Sequence, residues 1–338
     1  MRLYAAIDLH STNSFLTLID QDDNALIERR FPNDLGPLLD ALEPYRGSLQ
    51  GIAVESTYNW YWLVDGLQDA GYRVHLVNTA AVIQYEGLKH GNDRSDARWL
   101  ARLLRLGVLP EGFIYPRERR ATRDLLRRRS LLVHQSVQLM LSLESALSRR
   151  TGKTWSKQAV TRLDARAIEE VLPDATERFG FLVQYALHGS LQEQIRQIER
   201  WLQLDCAPHE SLQDLKSING IGDILGLTIL LETGPVERFA TVGDYASYCR
   251  MVESTRISNG KRKGRGNAKC GNRYLCWAFV EAANFAIRFN PVIGAWYQRK
   301  RARKHRIIAI KAVAHKLARA AYYILRDHTE FDVKRAFA

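Results

Sequence analysis

Two aspartates, Asp93 and Asp96, stand three residues apart at the start of a segment with helical periodicity. Residues i and i+3 share one face of a helix, so both carboxylates can point to one place. Neighbouring carboxylates repel each other unless a cation lies between them, and Mg²⁺ held by oxygen ligands is such a cation. The alternative is a capped helix start, in which Asp93 is the N-cap and Asp96 favours the positive end of the helix.

Two more acids follow apolar segments nearer the N-terminus. Asp8 follows the apolar run 3–7, and Glu55 closes the apolar run 51–54. Ligands of open α/β sheets bind beyond the ends of the strands. The sequence therefore predicts that Asp8 and Glu55 meet Asp93 and Asp96 in one carboxylate cluster.

The elements that must position these acids are strands followed by alternating strands and helices. Apolar and turn patterns predict strands at 3–7, 14–20, 25–31, 51–55 and 73–77, and helices at 35–45, 60–70 and from 93 onward. This order indicates an α/β domain with a mixed sheet.

Composition bounds the class of protein. The chain has 338 residues, 46% hydrophobic content and a formal net charge of +12, which fits two or three domains and a polyanionic partner such as nucleic acid. The four cysteines form no CxxC pair, which argues against zinc and against a disulfide scaffold. No signal-peptide core and no membrane-spanning run occur, so we expect no membrane partner and a cytoplasmic location.

The middle of the chain, 116–212, is arginine-rich and carries a long apolar stripe at helical spacing. This pattern predicts a helical linker, and a coiled coil that dimerises is one form that it could take.

A third region, 213–338, opens with the G-x-G turn of 220–222, which is typical either of a helix-hairpin-helix at a phosphate or of an ordinary tight helix connection. The basic segment 252–266 predicts a flexible glycine-punctuated loop that holds the hydroxyls of Ser254 and Ser258. Basic side chains in these regions are predicted to contact nucleic-acid phosphates: Arg123, Arg127, Arg128, Arg256, Lys261, Arg262, Lys263, Arg265, Arg301, Arg303 and Lys304.

The motifs at 6–10 (AIDLH), 54–58 (VESTY) and 92–97 (NDRSDA) resemble the DEDD transposases of bacterial insertion sequences, more narrowly the bridge-RNA-guided serine recombinases. In that family a second basic residue usually stands at the position of Ser95. The resemblance implies a RuvC-like (RNase H-like) mixed-sheet α/β domain at 1–115. It also implies Mg²⁺ held by catalytic carboxylates, which are Asp8, Glu55, Asp93 and Asp96 in this sequence.

The C-terminal motifs 271–275 (GNRYL) and 280–283 (VEAA) resemble the mainly helical transposase domain of the same family, with its helix-hairpin-helix-like entry. The family's catalytic serine usually lies in S-S-G-G. The matching residues are Ile257-Ser258-Asn259-Gly260, which implies that Ser258 is the nucleophile, with Ser254 as the alternative. We expect the serine loop of the free protein to be disordered or displaced, with Ser258 far from the acids.

The resemblance implies a transposase that cleaves and exchanges DNA strands through an Mg²⁺-assisted phosphoserine intermediate. Its implied partners are donor and target DNA, a guide RNA and further copies of the chain in a dimer or tetramer, in a bacterial cytoplasm. Two other functions remain open from the residues alone. One is a metal-dependent endonuclease of the Holliday-junction type, and the other is a non-catalytic nucleic-acid-binding protein.

Overall fold

The structure is a computed structural model that describes residues 1–82, 92–206, 210–253, 255–265 and 270–338. The chain divides into two compact units, Met1–Arg117 on one side and Glu118–Arg265 with Gly271–Ala338 on the other. Within the described ranges, no helix combines the length and the apolar character needed to cross a membrane. The sequence-predicted boundaries at 115 and 212 remain predictions.

The first unit contains a five-stranded mixed sheet in the order β3-β2-β1-β4-β5. Its strands are β1 (Leu3–Leu9), β2 (Asn13–Asp20), β3 (Ala25–Pro32), β4 (Leu49–Glu55) and β5 (Val74–Val77). The first three form the antiparallel meander that the sequence predicts, and β4 runs parallel to both β1 and β5. The predicted mixed-sheet α/β class is therefore confirmed.

Helices cover both faces of this sheet. Helices α1 (Leu35–Leu42), with a 3-10 turn at Glu43–Tyr45, and α2 (Tyr61–Asp69) pack on one face, and α3 (Asp93–Arg105) packs on the other. Side chains alternate between the faces of a strand. In β1 the odd-numbered residues face α1 and α2, while Ala6 faces Leu100 and Ala101 of α3. Asp8 therefore lies on the α3 face, and Glu55, two residues after Ala53, does so too.

The second unit is almost entirely helical. Two long helices, α4 (Arg117–Thr151) and α7 (Ala175–Cys206), flank the short helices α5 (Lys157–Thr161) and α6 (Ala165–Val171). The contacts between α4 and α7 show an antiparallel pair within the chain, because Thr122 bonds to Asp205 at 2.9 Å while Ser136 bonds to Gln192 at 2.6 Å. The predicted helical character is confirmed, and dimerisation through these helices remains a prediction.

The remaining helices build one core. They are α8 (Glu210–Lys216), α9 (Asp223–Thr233), a 3-10 turn at Val236–Arg238, α10 (Val242–Tyr248), α11 (Arg273–Phe289), α12 (Pro291–Arg301), α13 (Arg306–Asp327) and α14 (Val333–Phe337). Gly220, in the turn between α8 and α9, has φ +94°, and a Cβ there would lie 2.7 Å from the carbonyl oxygen of Ala282 in α11. This glycine is required by the close approach of α11, which favours the tight-connection interpretation of the G-x-G turn.

The basic segment between α10 and α11 contains a hairpin of β6 (Thr255–Ser258) and β7 (Lys261–Arg265). The predicted flexible loop contains a hairpin at these residues, and the expectation that it is disordered or displaced in the free protein stays a prediction. Asn259 and Gly260 have φ of 50° and 69°, the two positive values that a tight hairpin turn requires. Asn and Gly adopt positive φ angles at little energetic cost. The Asn-Gly pair therefore favours a hairpin turn here, even though the segment is highly charged. Ser254 and Gly266 lie outside the described residues.

Candidate active site

The structure brings four carboxylates from three elements together. Asp8 lies in β1, Glu55 ends the neighbouring parallel strand β4, and the pairing of Ile7 with Val54 places the two acids side by side. Asp93 and Asp96 occupy the first turn of α3, on the same face of the sheet. The convergence that strand order and helix periodicity predict is present.

Burial and the neighbouring carboxylates together raise the pKa of two acids in this cluster. Burial, a hydrogen bond to the Asp8 side chain and the charges of Asp8 and Asp96 raise the pKa of Glu55 to about 8. Partial burial and the charges of Asp8 and Asp93 also raise the pKa of Asp96. In the absence of a cation, these surroundings therefore favour the protonated form of the Glu55 carboxyl.

Two basic side chains also reach the cluster. His10 Nε2 lies 3.4 Å from Asp8 Oδ2 and 3.2 Å from Asp93 Oδ1. Arg30 of β3 binds the other oxygen of Asp93 at 2.5 Å and donates to Asn13 at 3.1 Å. Asp93 is thus held by Arg30 of β3, with its other oxygen turned toward His10 and the cluster.

The N-cap of helix α3 is Asn92, and not Asp93 as the capping alternative predicts. The Asn92 side chain accepts a hydrogen bond from the amide of Ser95 at 2.9 Å, and Ser95 Oγ accepts one from the amide of Asn92 at 2.9 Å. This capping box frees Asp93 from a capping role. It also gives Ser95 a structural function at the position where the resembled family carries a basic residue. His90 and Gly91, which precede the motif, lie outside the described residues.

The donor set fits a divalent metal ion. Asp8, His10 and Asp93 each turn a ligand atom inward, and these atoms all lie within 4.8 Å of one another. Hard divalent ions prefer carboxylate oxygens, and a cation would offset the repulsion that adds to burial in raising the pKa of Glu55. Among the described residues, Asp8, His10 and Asp93 turn ligand atoms to one place that could hold such an ion, and the part predicted for Glu55 and Asp96 as ligands stays a prediction.

Ser258 ends β6, directly before the turn at Asn259-Gly260. The structure does not describe the side chains of four residues in this hairpin, which are Ser258, Arg256, Arg262 and Arg265. The catalytic role predicted for Ser258 and the nucleic-acid contacts predicted for the three arginines therefore stay predictions. Lys261 and Lys263 are exposed, as a nucleic-acid contact requires. The predicted separation of Ser258 from the acids likewise remains a prediction.

The two chain segments that lead into and out of this hairpin are joined at its base. The amide of Asn272 donates to the carbonyl of Tyr248 at 2.6 Å, and Arg250 Nε donates to the carbonyl of Gly271 at 2.9 Å. Gly271 has φ +86°, and a Cβ there would lie 2.6 Å from the Tyr248 carbonyl oxygen. The Gly-Asn pair of the GNRYL motif therefore closes the base of the hairpin.

A buried ion pair supports this base. Glu232 is 2% exposed, and Arg127 of α4 binds both of its oxygens, at 2.6 and 2.8 Å. Asn272 Nδ2 also donates to Glu232 at 2.7 Å, while its own Oδ1 caps α11 by accepting from the amide of Tyr274. The network links α4, α9 and α11 in one place.

Arg127 is paired with Glu232, so a phosphate would have to compete with that carboxylate, and the phosphate contact predicted for Arg127 stays a prediction. Arg123 is also a poor candidate, because it is 9% exposed. Exposed basic side chains remain at other predicted positions: Arg128, Arg301, Arg303 and Lys304. The sequence pattern could not separate these two groups, because a long helix with arginines on several faces buries some of them.

Sequence reasoning gave no role to His10 or Arg30. A signal existed for His10, since it stands two residues after Asp8, directly after the end of β1. Arg30 carries no such signal, because only the pairing of β2 with β3 and the position of α3 bring it to Asp93.

Comparison with known proteins finds two family matches in order along the chain. Residues 5–150 match a DEDD-type transposase model of the IS110 group, and residues 212–298 match the model "Transposase IS116/IS110/IS902 family". The chain is similar to the transposase for insertion sequence element IS1328 of Yersinia enterocolitica, with 24% identity over 342 residues that cover 96% of this chain and 97% of that protein. It is also similar to y4qE of Sinorhizobium fredii, a provisionally named transposase, with 25% identity over 70% of this chain and 57% of that protein.

The first match covers nearly all of the sheet and all four clustered acids, and the second covers the helical core from α8 into α12 together with the β6–β7 hairpin that carries Ser258. The motifs at 6–10, 54–58 and 92–97 lie inside the first match, and the motifs at 271–275 and 280–283 lie inside the second. On this evidence the chain belongs to the IS110/IS116/IS902 family of insertion-sequence transposases of the DEDD type.

Proposed function

We propose that Asp8, Glu55, Asp93 and Asp96 form the strand-cleaving site of this transposase and that they hold Mg²⁺. One observation carries the proposal: four carboxylates from β1, β4 and α3 converge, and burial, a hydrogen bond to Asp8 and the charges of Asp8 and Asp96 raise the pKa of Glu55 to about 8. A cluster that destabilises itself without a cation is typical of a functional site. The order of the mixed sheet, β3-β2-β1-β4-β5, supports a RuvC-like, RNase H-like domain.

Each acid has a distinct position for this work. Asp8 is 3% exposed and is fixed inside a central strand, so it provides the rigid ligand. Asp93 is oriented by Arg30, and Asp96 is exposed beside it, where a DNA phosphate can approach. A bound divalent ion would neutralise charge on the scissile phosphate. Glu55 gives up its proton as the cluster takes up positive charge.

We further propose that Ser258 is the nucleophile. Its Oγ would form a bond to the phosphorus while the bond from phosphorus to the departing sugar oxygen breaks. The serine loses its proton, the released sugar hydroxyl gains one, and the phosphoserine link preserves the phosphodiester for rejoining. Support comes from its position beside a tight turn, with exposed Lys261 and Lys263 on the paired strand to attract a phosphate.

A guide RNA and an assembly of two or four copies complete the proposal. The net charge of +12 and the exposed basic residues of α12 and the turn after it support polyanion binding. Large apolar side chains on the long helices, such as Val137, Leu141 and Trp201, are exposed and support association between copies.

The test is covalent attachment of labelled DNA to the full-length protein, read on a denaturing gel with the element's RNA and Mg²⁺ present. We expect a protein–DNA adduct in the wild type and in Ser254→Ala, and none in Ser258→Ala or Asp93→Asn. The matched control Asp22→Asn, in an exposed turn, should keep full activity. Adduct formation by Asp93→Asn would contradict the metal site. Cleavage without an adduct, unchanged in Ser258→Ala, would instead support the endonuclease, and binding without cleavage would support the non-catalytic protein.

A further inference from the structure

His10 is held in place by its backbone. Its amide donates to the carbonyl of Asn13 at 2.9 Å, closing the turn between β1 and β2. Its carbonyl accepts hydrogen bonds from the side-chain amides of Asn33 at 2.9 Å and Asn59 at 3.1 Å. These two asparagines follow β3 and β4 respectively, so three connections of the first unit fix one residue. Such support is expected for a side chain whose position matters.

The imidazole points between two carboxylates without bonding to either. Nε2 lies 3.4 Å from Asp8 Oδ2 and 3.2 Å from Asp93 Oδ1, yet this enclosed atom has no hydrogen-bond partner among the described residues. A buried polar atom without a partner carries a free-energy cost and calls for an explanation. If His10 served only to pair with the carboxylates, one of these contacts should have hydrogen-bond geometry.

The distances match the geometry of ligands on one ion. For metal–ligand bonds of about 2.1 Å, neighbouring ligands of an octahedron lie about 3.0 Å apart. The two separations at Nε2 are close to this value, and Asp93 can offer Oδ1 because Arg30 occupies Oδ2. The His10 side chain is 41% exposed, which leaves the cluster open to an entering ion.

We propose that His10 is a nitrogen ligand of the divalent ion at this site, alongside Asp8 and Asp93. This proposal rests on the proposed metal site and adds to it a preference among divalent ions. Imidazole favours Co²⁺ and Ni²⁺ over Mg²⁺ more than a carboxylate oxygen does. This chain therefore binds such ions better than an all-carboxylate site would, while Mg²⁺ binding depends mainly on the acids.

The direct test uses Mn²⁺ bound to the full-length protein and pulsed electron paramagnetic resonance, which detects nitrogen attached to the ion. We expect the wild-type protein to show a modulation from nitrogen bound to Mn²⁺. This modulation should change when the protein is made with isotopically labelled histidine, and that comparison requires no variant. The modulation should vanish in His10→Ala and persist in His134→Ala, which removes an exposed histidine of α4.

Calorimetric titration gives the second measurement. We expect His10→Ala to weaken Co²⁺ binding by about tenfold or more, the loss caused even by removing a residue that only supports a metal ligand. Mg²⁺ binding should change much less. Mn²⁺ binding that requires Asp93 but shows no nitrogen modulation would overturn the role of His10 and leave the carboxylate site standing. Absence of any Asp93-dependent metal binding would overturn both.

Discussion

The raised pKa of Glu55 makes a prediction about the stability of the metal-free protein. The value is about 8 instead of 4.5, which at about 1.4 kcal/mol per pH unit corresponds to about 5 kcal/mol for an enclosed group. Because Glu55 is only half-buried, solvent screens the interaction, and we expect about 2 kcal/mol. Below pH 4.5 the carboxyl is protonated in both the folded and the unfolded state. As the pH rises toward 8, only the unfolded state releases its proton freely, so stability falls across this window.

Glu55→Gln removes this titration. The free energy of unfolding of the variant should equal that of the wild type near pH 4.5 and exceed it by about 2 kcal/mol at pH 8 without divalent ions. Hydrogen exchange of the β1 and β4 amides in a chelating buffer measures this locally. Asp40→Asn, at an exposed position of α1, is the control and should follow the wild type. Parallel pH profiles for Glu55→Gln and the wild type would refute the argument that the carboxylate cluster holds a proton.

Three further predictions concern other parts of the molecule. Replacing Arg301, Arg303 and Lys304 together with Ala should reduce the slope of log affinity against log salt by up to about 2.7 on duplex DNA, and an unchanged slope would exclude this patch from the interface. Glu232→Gln should lower stability by about 2 kcal/mol, because it leaves a half-buried guanidinium without its anion, and thermal unfolding would detect this. Asn92→Ala should cost about 1 kcal/mol and speed hydrogen exchange in the first turn of α3, whereas unchanged exchange would argue against the capping box.

The sheet and the carboxylate cluster could be predicted because their signals are local. Buried strands appear as apolar runs, and an acid at the end of such a run, like Glu55, is conspicuous. The helical face shared by Asp93 and Asp96 follows from spacing alone. Strand order then brings these acids to the same end of neighbouring strands, and no distant side-chain contact has to be known to predict this.

The features that could not be predicted depend on partners far apart in the sequence. Arg127 pairs with Glu232, 105 residues away, and only the packing of α4 on α9 brings them together. Arg30 reaches Asp93 across the sheet for a similar reason. The β6–β7 hairpin was predictable from its Asn-Gly turn, but the basic and glycine-rich composition of the segment favoured the interpretation as a loop.

The closed base of the hairpin has a consequence for the divergence of these enzymes. Because Tyr248, Arg250, Gly271 and Asn272 hold the two ends of the segment together, the roughly 20 residues between them form a cassette with fixed attachment points. Doubling the length of such a loop costs only about 0.6 kcal/mol of closure entropy. Insertions or deletions at the turn of the hairpin, beyond Met251 whose side chain is buried in the helical core, leave that core untouched, so the length and charge of the turn can change while the framework that carries it stays the same.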